Sequence, residues 1–222
     1  VEASANQISG AVNNATSAIA FSAILAPLAL MAKGAINMAS TFETLDARLV
    51  TVTGSAQKAG VAFDTVKKLI LETPFAVKAL TDSYARLAAT GSKTFKTNAN
   101  IAEGVRAISD AVAAIGGGDL ELTRVSVAFE RMSAEGRITA ERLNQLAEAG
   151  IPLTKIADKL GLTMGELRAE SEKGTFSFEE FYKAFVAVSK AADGFAGAAA
   201  RQNDTIKGAA SNFSDAIELM SD

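Results

Sequence analysis

Ser189 and Lys190 come nearest to a nucleophile and its base in this sequence, because the chain contains neither histidine nor cysteine. A serine hydroxyl becomes an effective nucleophile only when a proton acceptor lies beside it. Neighbouring residues on a helix point in different directions, so this pair is not expected to share a proton. The missing imidazole and thiol groups also remove the commonest metal ligands and any disulfide framework. We therefore assign no catalytic or metal-binding residue.

Pairs of carboxylates are the other candidates for acid–base chemistry, for example Glu170 with Glu172 and Glu179 with Glu180. Two carboxyl groups can act as general acid and general base when they face one substrate. Acidic runs of this kind are more often solvated helix faces, or charges that favour a helix N-terminus. We therefore predict that the protein is not an enzyme, and we assign it no cofactor.

A glycine run, Gly116–Gly118, precedes Asp119 and invites comparison with a phosphate-binding loop. It follows a predicted helix instead of a strand, and it lacks the G-x-x-x-x-G-K-[ST] spacing of such loops. We interpret it as a flexible joint between two helices, with Asp119 as the N-cap of the second.

The elements that position all of these groups are predicted to be helices. Of the 222 residues, 49% are apolar and only 6% aromatic, much of the apolar content is alanine, and there are three prolines. Alanine has the highest helix propensity of all residues. The net charge of −3 gives no electrostatic reason to expect a specific nucleic acid partner. The predicted fold class is all-α, a multi-helix globular domain of short helices preceded by a long apolar N-terminal helix.

The first forty residues form a distinct segment, with no charged residue between Glu2 and Lys33. Its apolar part, AIAFSAILAPLALMA, is long for a soluble helix and slightly short for a membrane span, and Pro27 would kink it. It is predicted to be a buried core helix, an oligomerisation helix or a membrane-inserting segment. The candidate membrane-contacting or helix-contacting residues are Ile19, Phe21, Ile24, Leu25, Leu28, Leu30 and Met31.

Apolar residues recur at helical spacing through the middle of the chain, which predicts amphipathic helices. Each stripe ends at a glycine or proline, a typical helix terminator. The stripes are Phe63, Val66 and Ile70; Leu80, Tyr84 and Leu87; Ile101, Val105, Ile108, Val112 and Ile115; and Leu122, Val125, Phe129 and Met132.

Start signals predict a series of short helices in the second half. Thr139 is predicted to cap one of them. Thr163 with Glu166, and Ser177 with Glu180, have the spacing of a capping box, in which side chains and backbone amides bond reciprocally. The second box is expected to open a helix that bears Phe178, Phe181, Tyr182, Phe185 and Val188.

Residues 153–173 have the pattern of a helix-turn-helix. A second helix that reads DNA would need to be basic. Here it carries Glu166, Glu170 and Glu172 against Arg168 and Lys173, and is net acidic. We interpret the segment as two short packed helices, with nucleic acid binding as a less favoured alternative.

Two stretches resemble the tape measure domain of bacteriophage tail tape measure proteins. One is LETPFAVKALTDSYARLAATG, from Leu71 to Gly91, and the other runs from Phe129 to Phe185. The second contains the family pattern G-x-hydrophobic-x-x-E-x-L-N-Q-L-x-E-A-G-I-P, followed by a K-G segment and a phenylalanine-rich helix. The resemblance covers about residues 41–220. The residues that match the pattern are Gly136, Glu141, Leu143, Asn144, Gln145, Leu146, Gly150, Ile151 and Pro152, and further on Gly174, Phe178 and Phe181.

Elementary physical chemistry assigns roles within this motif. Leu143 and Leu146 are predicted to supply core contacts on one helix face. Gly150 is predicted to end the helix in the left-handed conformation, and Pro152 to occupy the first turn of the next helix. Asn144 and its neighbour Gln145 are predicted to bond to loop backbone or to a partner.

The composition and the resemblance together indicate three regions. Residues 1–40 are the apolar, nearly charge-free segment, and residues 41–193 are the globular tape measure domain. Residues 194–222 are a linker and exit helix, beginning near Gln202, that leads toward a further C-terminal region. The ruler that sets tail length would be a long helical region outside this chain.

The resemblance also implies a structural tail protein that lies in the lumen of the tail tube and sets tail length during assembly. It would leave the particle before the genome. The expected partners are tail tube, hub or baseplate proteins and tail assembly chaperones, with three or six copies of the chain and contact with the host membrane. Its expected places are the virion and, during assembly, the host cytoplasm. The alternative is a membrane-active channel for DNA delivery.

Overall fold

Helices of 8–17 residues, joined by short turns, make up the part of the chain that the structure describes. The structure is a computed structural model and describes residues 47–51 and 53–205. The apolar segment from Ile19 to Met31, and with it the predicted long N-terminal helix, lies outside these residues. The helices are α1 (Ala56–Glu72), α2 (Val77–Ala89), α3 (Asn98–Ala114), α4 (Asp119–Glu135), α5 (Ala140–Glu148), α6 (Leu153–Leu160), α7 (Met164–Glu172) and α8 (Phe178–Lys190).

The predicted all-α class is confirmed for the described residues. Residues 47–51 and 198–205 are also helical, and the only β-type pairing in the described chain is an isolated antiparallel bridge between Arg137 and Ser177. Helices α2, α3 and α4 pack against one another, and α8 packs against α3, α4 and α6. The short helices α5 and α7 pack together beside α4. Every described residue belongs to one compact unit.

The predicted apolar stripes of α2, α3 and α4 face the core, as the helical period requires. In α4 all four predicted residues are fully buried, and in α3 all but Ile115 at its end are buried. Helix α1 is different, because its buried face contains alanines in place of two of the larger residues that were predicted. It buries Ala59, Ala62, Val66 and Leu69, whereas the predicted Phe63 and Ile70 are only half-buried.

Helix α8 brings the aromatic residues together. Phe178, Phe181 and Phe185 are buried and surround Phe129 of α4, with ring centroids of Phe129 and Phe185 4.7 Å apart. Aromatic pairs of this kind contribute about 0.5–1.5 kcal/mol each beyond the area that they bury. The predicted phenylalanine-rich helix is therefore the centre of the core.

The joint at Gly116–Gly118 differs from the prediction by one residue. Gly118 is the N-cap of α4, and Asp119 is its first helical residue. The carboxylate of Asp119 accepts a hydrogen bond from the backbone N–H of Ala76, the N-cap of α2, at 2.9 Å. The side chain thus bonds to the start of a neighbouring helix, whose N-cap residue, an alanine, has no capping group of its own.

The segment after α8 is packed on the same core. Phe195 is buried, with its ring centroid 6.2 Å from that of Phe185. The buried carboxylate of Asp110 on α3 accepts a hydrogen bond from the backbone N–H of Ala199 at 3.0 Å. Asn203 donates from its amide to the carbonyl of Leu71 at 3.0 Å. The exit helix, which begins by residue 198 and not near 202, is thus held by α1 and α3.

Candidate interaction surface at the motif helix

The family-pattern residues centre on α5, which we call the motif helix. Thr139 caps it as predicted, since its hydroxyl accepts a hydrogen bond from the backbone N–H of Arg142 at 3.4 Å. Leu143 and Leu146 are buried, and they hold the helix against α4 and α7. One face of the helix is therefore fixed to the core, and the opposite face is free to present polar groups.

Gly150 ends the motif helix in the predicted left-handed conformation, with φ of 85°. Its N–H donates to the carbonyl of Ala147 at 2.9 Å, and the N–H of Ile151 donates to the carbonyl of Leu146 at 3.0 Å. This pattern is the Schellman motif. The prediction for Pro152 is wrong by one position, because Pro152 is the N-cap of α6 and precedes its first turn.

The two halves of the family pattern meet at the start of the motif. The carbonyl of Gly136 accepts from the N–H of Phe178 at 3.1 Å, and the N–H of Ile138 donates to the carbonyl of Phe176 at 2.8 Å. Arg137 reaches the carbonyl of Gly174 at 3.5 Å. The segment after α4 thus fixes the entry of α8, which sequence spacing alone did not reveal.

Arg142 organises the polar side of the motif helix, a role that no spacing in the sequence predicted. Its guanidinium donates to Glu141 at 2.9 Å and to Gln145 at 3.2 Å, and lies 3.6 Å from Glu135. Its side chain is only 13% exposed. Within the described residues Gln145 therefore bonds to side chains of its own helix and not to loop backbone, and its bond to a partner stays a prediction. Asn144 is exposed, and its side chain has no hydrogen-bond partner among the described residues.

A groove of about 430 Å³ lies between α4 and the motif helix, and we call it the α4–α5 groove. Arg124, Val127 and Arg131 line its α4 side, and Gln145 and Glu148 line the other side. The motif helix thus contributes one wall of an open groove that combines apolar and charged groups.

The groups considered for catalysis are engaged elsewhere. The buried hydroxyl of Ser189 donates to the carbonyl of Val186 at 2.9 Å, while Lys190 pairs with Glu103 at 2.5 Å. The two side chains therefore have separate partners and do not share a proton.

The carboxylate pairs lie on the surface. Glu170 pairs with Lys173 at 2.6 Å, and Glu179 with Lys183 at 2.7 Å. The hydrogen bond and charge of Lys183 lower the pKa of Glu179. No group of three or more acidic residues in the described part of the chain is arranged to hold a metal ion.

The pKa values that are raised among the described residues are those of groups buried in the core. Burial raises the pKa of Tyr84 to about 12, and its hydroxyl has no hydrogen-bond partner within the described residues. Burial also raises the pKa of Asp110, against the opposing effects of the Ala199 hydrogen bond and the charges of Arg106 and Arg201. Neither group lines the α4–α5 groove.

Among the described helices, none has the length and hydropathy needed to cross a membrane. A family model described as "Tape measure protein" matches residues 33–221. No curated protein and no solved structure matches the chain.

Proposed function

This chain belongs to the tape measure protein family, and from that premise we propose that it is a structural module in the assembly of a bacteriophage tail. In this proposal it lies in the lumen of the tail tube and takes part in setting tail length. It then leaves the particle ahead of the genome. The observation that carries the proposal is the family match, which spans most of the chain.

The described fold supports a role in contacts more than in length. The longest described helices, α1, α3 and α4, have 17 residues each, or about 25 Å at 1.5 Å per residue. They fold back on one another around a shared core, so this part of the protein adds little to an axial distance. We propose that a long helical region sets the distance, and that this module fixes one of its ends.

The proposed partners are tail tube, hub or baseplate proteins and the tail assembly chaperones. A tube with rotational symmetry would take three or six copies of the chain. The open face of the motif helix and the α4–α5 groove supply surfaces suited to such contacts. Copy number by quantitative mass spectrometry of purified tails checks this part of the proposal.

Tail length in mutant particles tests the proposed function. Without the protein, we expect no tails, or tubes without a defined length, in electron micrographs. Phe185→Asp should behave in the same way, because it places an unpaired charge in the aromatic core. Arg168→Ala, at an exposed residue without an ion pair, is the matched control and should leave tails normal. Tails of normal length in the absence of the protein would refute the proposal.

A membrane-active role in genome delivery is a second proposal, and it rests on the charge-free sequence between Glu2 and Lys33. A segment without charges can enter a bilayer at low cost. We expect the chain to release dye from liposomes, and Leu25→Asp and Leu28→Asp to abolish the release. Absence of leakage, or leakage that both variants retain, argues against this role.

A further inference from the structure

The outer face of α4 carries arginines that the described fold leaves unpaired. The guanidinium groups of three arginines in the described residues form neither an ion pair nor a hydrogen bond, namely those of Arg124, Arg131 and Arg168. Arg124 and Arg131 both line the α4–α5 groove, whereas Arg168 lies on α7. Since the guanidinium group is suited to bidentate binding of a carboxylate, the two groove residues are available for a partner.

The distance between the two groove arginines matches the distance between side chains seven residues apart on a second helix. Arg124 and Arg131 are seven residues apart on α4 and therefore lie on one face, about 10.5 Å apart along the axis. Val127 lies between them on the same face and lines the groove. Carboxylates seven residues apart on an opposing helix have the same axial separation and can meet both arginines.

The same face continues to an exposed apolar residue. Leu120 lies four residues before Arg124, and it is 58% exposed. Leu120 and Val127 are seven residues apart, the spacing at which helix-in-groove partners place their apolar anchors. The face thus alternates apolar side chains with cations along about three turns of α4.

The net charge of the groove lining indicates which class of macromolecule it can bind. The groove lining contains two arginines without an ion pair among the described residues and one carboxylate, that of Glu148, so the lining is net positive. Glu121, which interacts with the charge of Arg124, lies outside the lining. Two cations are few for a nucleic acid, because DNA-binding proteins contact about 6–10 phosphates. The apolar groups between the cations would also gain little from a phosphate backbone. The groove therefore fits an acidic amphipathic helix of a protein.

We propose that the α4–α5 groove binds an acidic amphipathic helix of a partner protein, with carboxylates on Arg124 and Arg131 and apolar side chains over Leu120 and Val127. The site stands apart from the role in tail length, since it rests on the groove alone. The proposed site gives the motif helix a role in binding as well as in packing, because Gln145 and Glu148 form the second wall of the groove.

Binding of two matched peptides to the intact 222-residue chain tests the proposal. The probe is a fluorescein-labelled helical peptide of about 18 residues, or roughly 27 Å, with leucines along one face and glutamates seven residues apart beside them. The control peptide has lysine in place of each glutamate. Fluorescence anisotropy should show binding of the glutamate peptide, weakened by added salt, and little binding of the lysine peptide.

Charge reversal locates the binding. The double variant Arg124→Glu, Arg131→Glu should weaken binding of the glutamate peptide by at least about tenfold, or 1.4 kcal/mol, and should gain affinity for the lysine peptide. Arg168→Glu changes the same charge outside the groove and should leave binding within about twofold, because distant exposed charges are largely screened. Replacement of both groove arginines by alanine should weaken binding without favouring the lysine peptide.

Several outcomes would overturn the proposal. One is a glutamate peptide that does not bind, or that binds the double-reversal variant as well as it binds the original chain. Another is a duplex DNA that displaces the peptide and itself loses binding on charge reversal. Self-association of the chain that requires the same arginines would assign the groove to a second copy instead.

Discussion

Helices α7 and α8 follow each other in the chain and carry the same start signal, yet they are held in place by different means. At α7 the capping box forms completely. The N–H of Thr163 donates to the Glu166 carboxylate at 2.8 Å, and the N–H of Glu166 donates to the Thr163 hydroxyl at 3.2 Å. At α8, Ser177 makes no capping bond with its side chain, so the predicted box with Glu180 is wrong.

The difference follows from what else each helix touches. Helix α7 buries only Leu167 and Ser171, so its stability depends on its own termini. Helix α8 buries aromatic residues along its length, and the N–H of Phe178 at its start already bonds to the carbonyl of Gly136. The start of α8 is thus held by a tertiary bond at Phe178, an amide that a capping box does not use, and the capping signature of Ser177 is not realised.

The largest expected effect tests whether tertiary contacts hold α8 in place. Phe185→Ala should lower the free energy of unfolding by about 3–5 kcal/mol, because it leaves a cavity beside Phe129, Phe181 and Phe195. Chemical denaturation monitored by circular dichroism measures the loss, and Phe185→Leu should cost less. A loss below about 1 kcal/mol would mean that the aromatic cluster does not hold α8.

A glycine at each helix gives a second contrast. A Cβ at Gly194, just after α8, would lie 2.0 Å from the carbonyl oxygen of Val188, whereas a Cβ at Gly165 in α7 would meet nothing closer than 3.9 Å. Gly194→Ala should therefore destabilise the fold by about 1–3 kcal/mol. Gly165→Ala, in the first turn of α7, should stabilise it by roughly 0.5–1 kcal/mol, since alanine leaves the unfolded chain less conformational entropy than glycine does. Thermal unfolding of the two variants should shift in opposite directions, and equal shifts would contradict the contacts described.

The two caps give the most direct comparison. Thr163→Ala should cost about 1 kcal/mol, because it removes a capping hydroxyl. Ser177→Ala should change the free energy of unfolding by less than about 0.5 kcal/mol, since that side chain caps nothing. Equal losses in denaturant titrations would show that the Ser177 cap forms in solution.

The smallest expected effect is a pH dependence of the local stability of the α7 N-terminus. Hydrogen bonds from the backbone N–H and then the hydroxyl of Thr163 lower the pKa of Glu166. A lowered pKa in the folded state stabilises the cap above the unfolded pKa, and the contribution is lost as the pH falls through the folded value. Hydrogen exchange of the first amides of α7, corrected for intrinsic rates, should therefore lose protection on acidification. Glu166→Gln should remove that dependence, and a persistent dependence in this variant would assign it to another group.

The sequence predicted the elements whose pattern is local. Apolar stripes at helical spacing located α2, α3 and α4, and glycine marked the end of the motif helix at Gly150. The spacing of apolar residues along one helix determines which face turns to the core, so the period reveals that face. In α1 small alanines form the buried face, and the larger Phe63 and Ile70 misdirected the prediction.

The sequence did not predict bonds between distant segments. Asp119 caps α2 across 43 residues, and Asp110 holds Ala199 across 89 residues. No spacing rule connects such partners, because only the completed packing brings them together. The α4–α5 groove was missed for the same reason, although the seven-residue spacing of Arg124 and Arg131 is visible in the sequence.

The attachment of the exit helix has a mechanical consequence. A pull on Thr205 away from the core would load the bond from Asn203 to the carbonyl of Leu71, and then that from Ala199 to Asp110. Tension would thus enter α1 and α3, while the α4–α5 groove lies on other helices. The first step of unfolding under force would therefore detach the exit helix from the core and leave both walls of the α4–α5 groove in place.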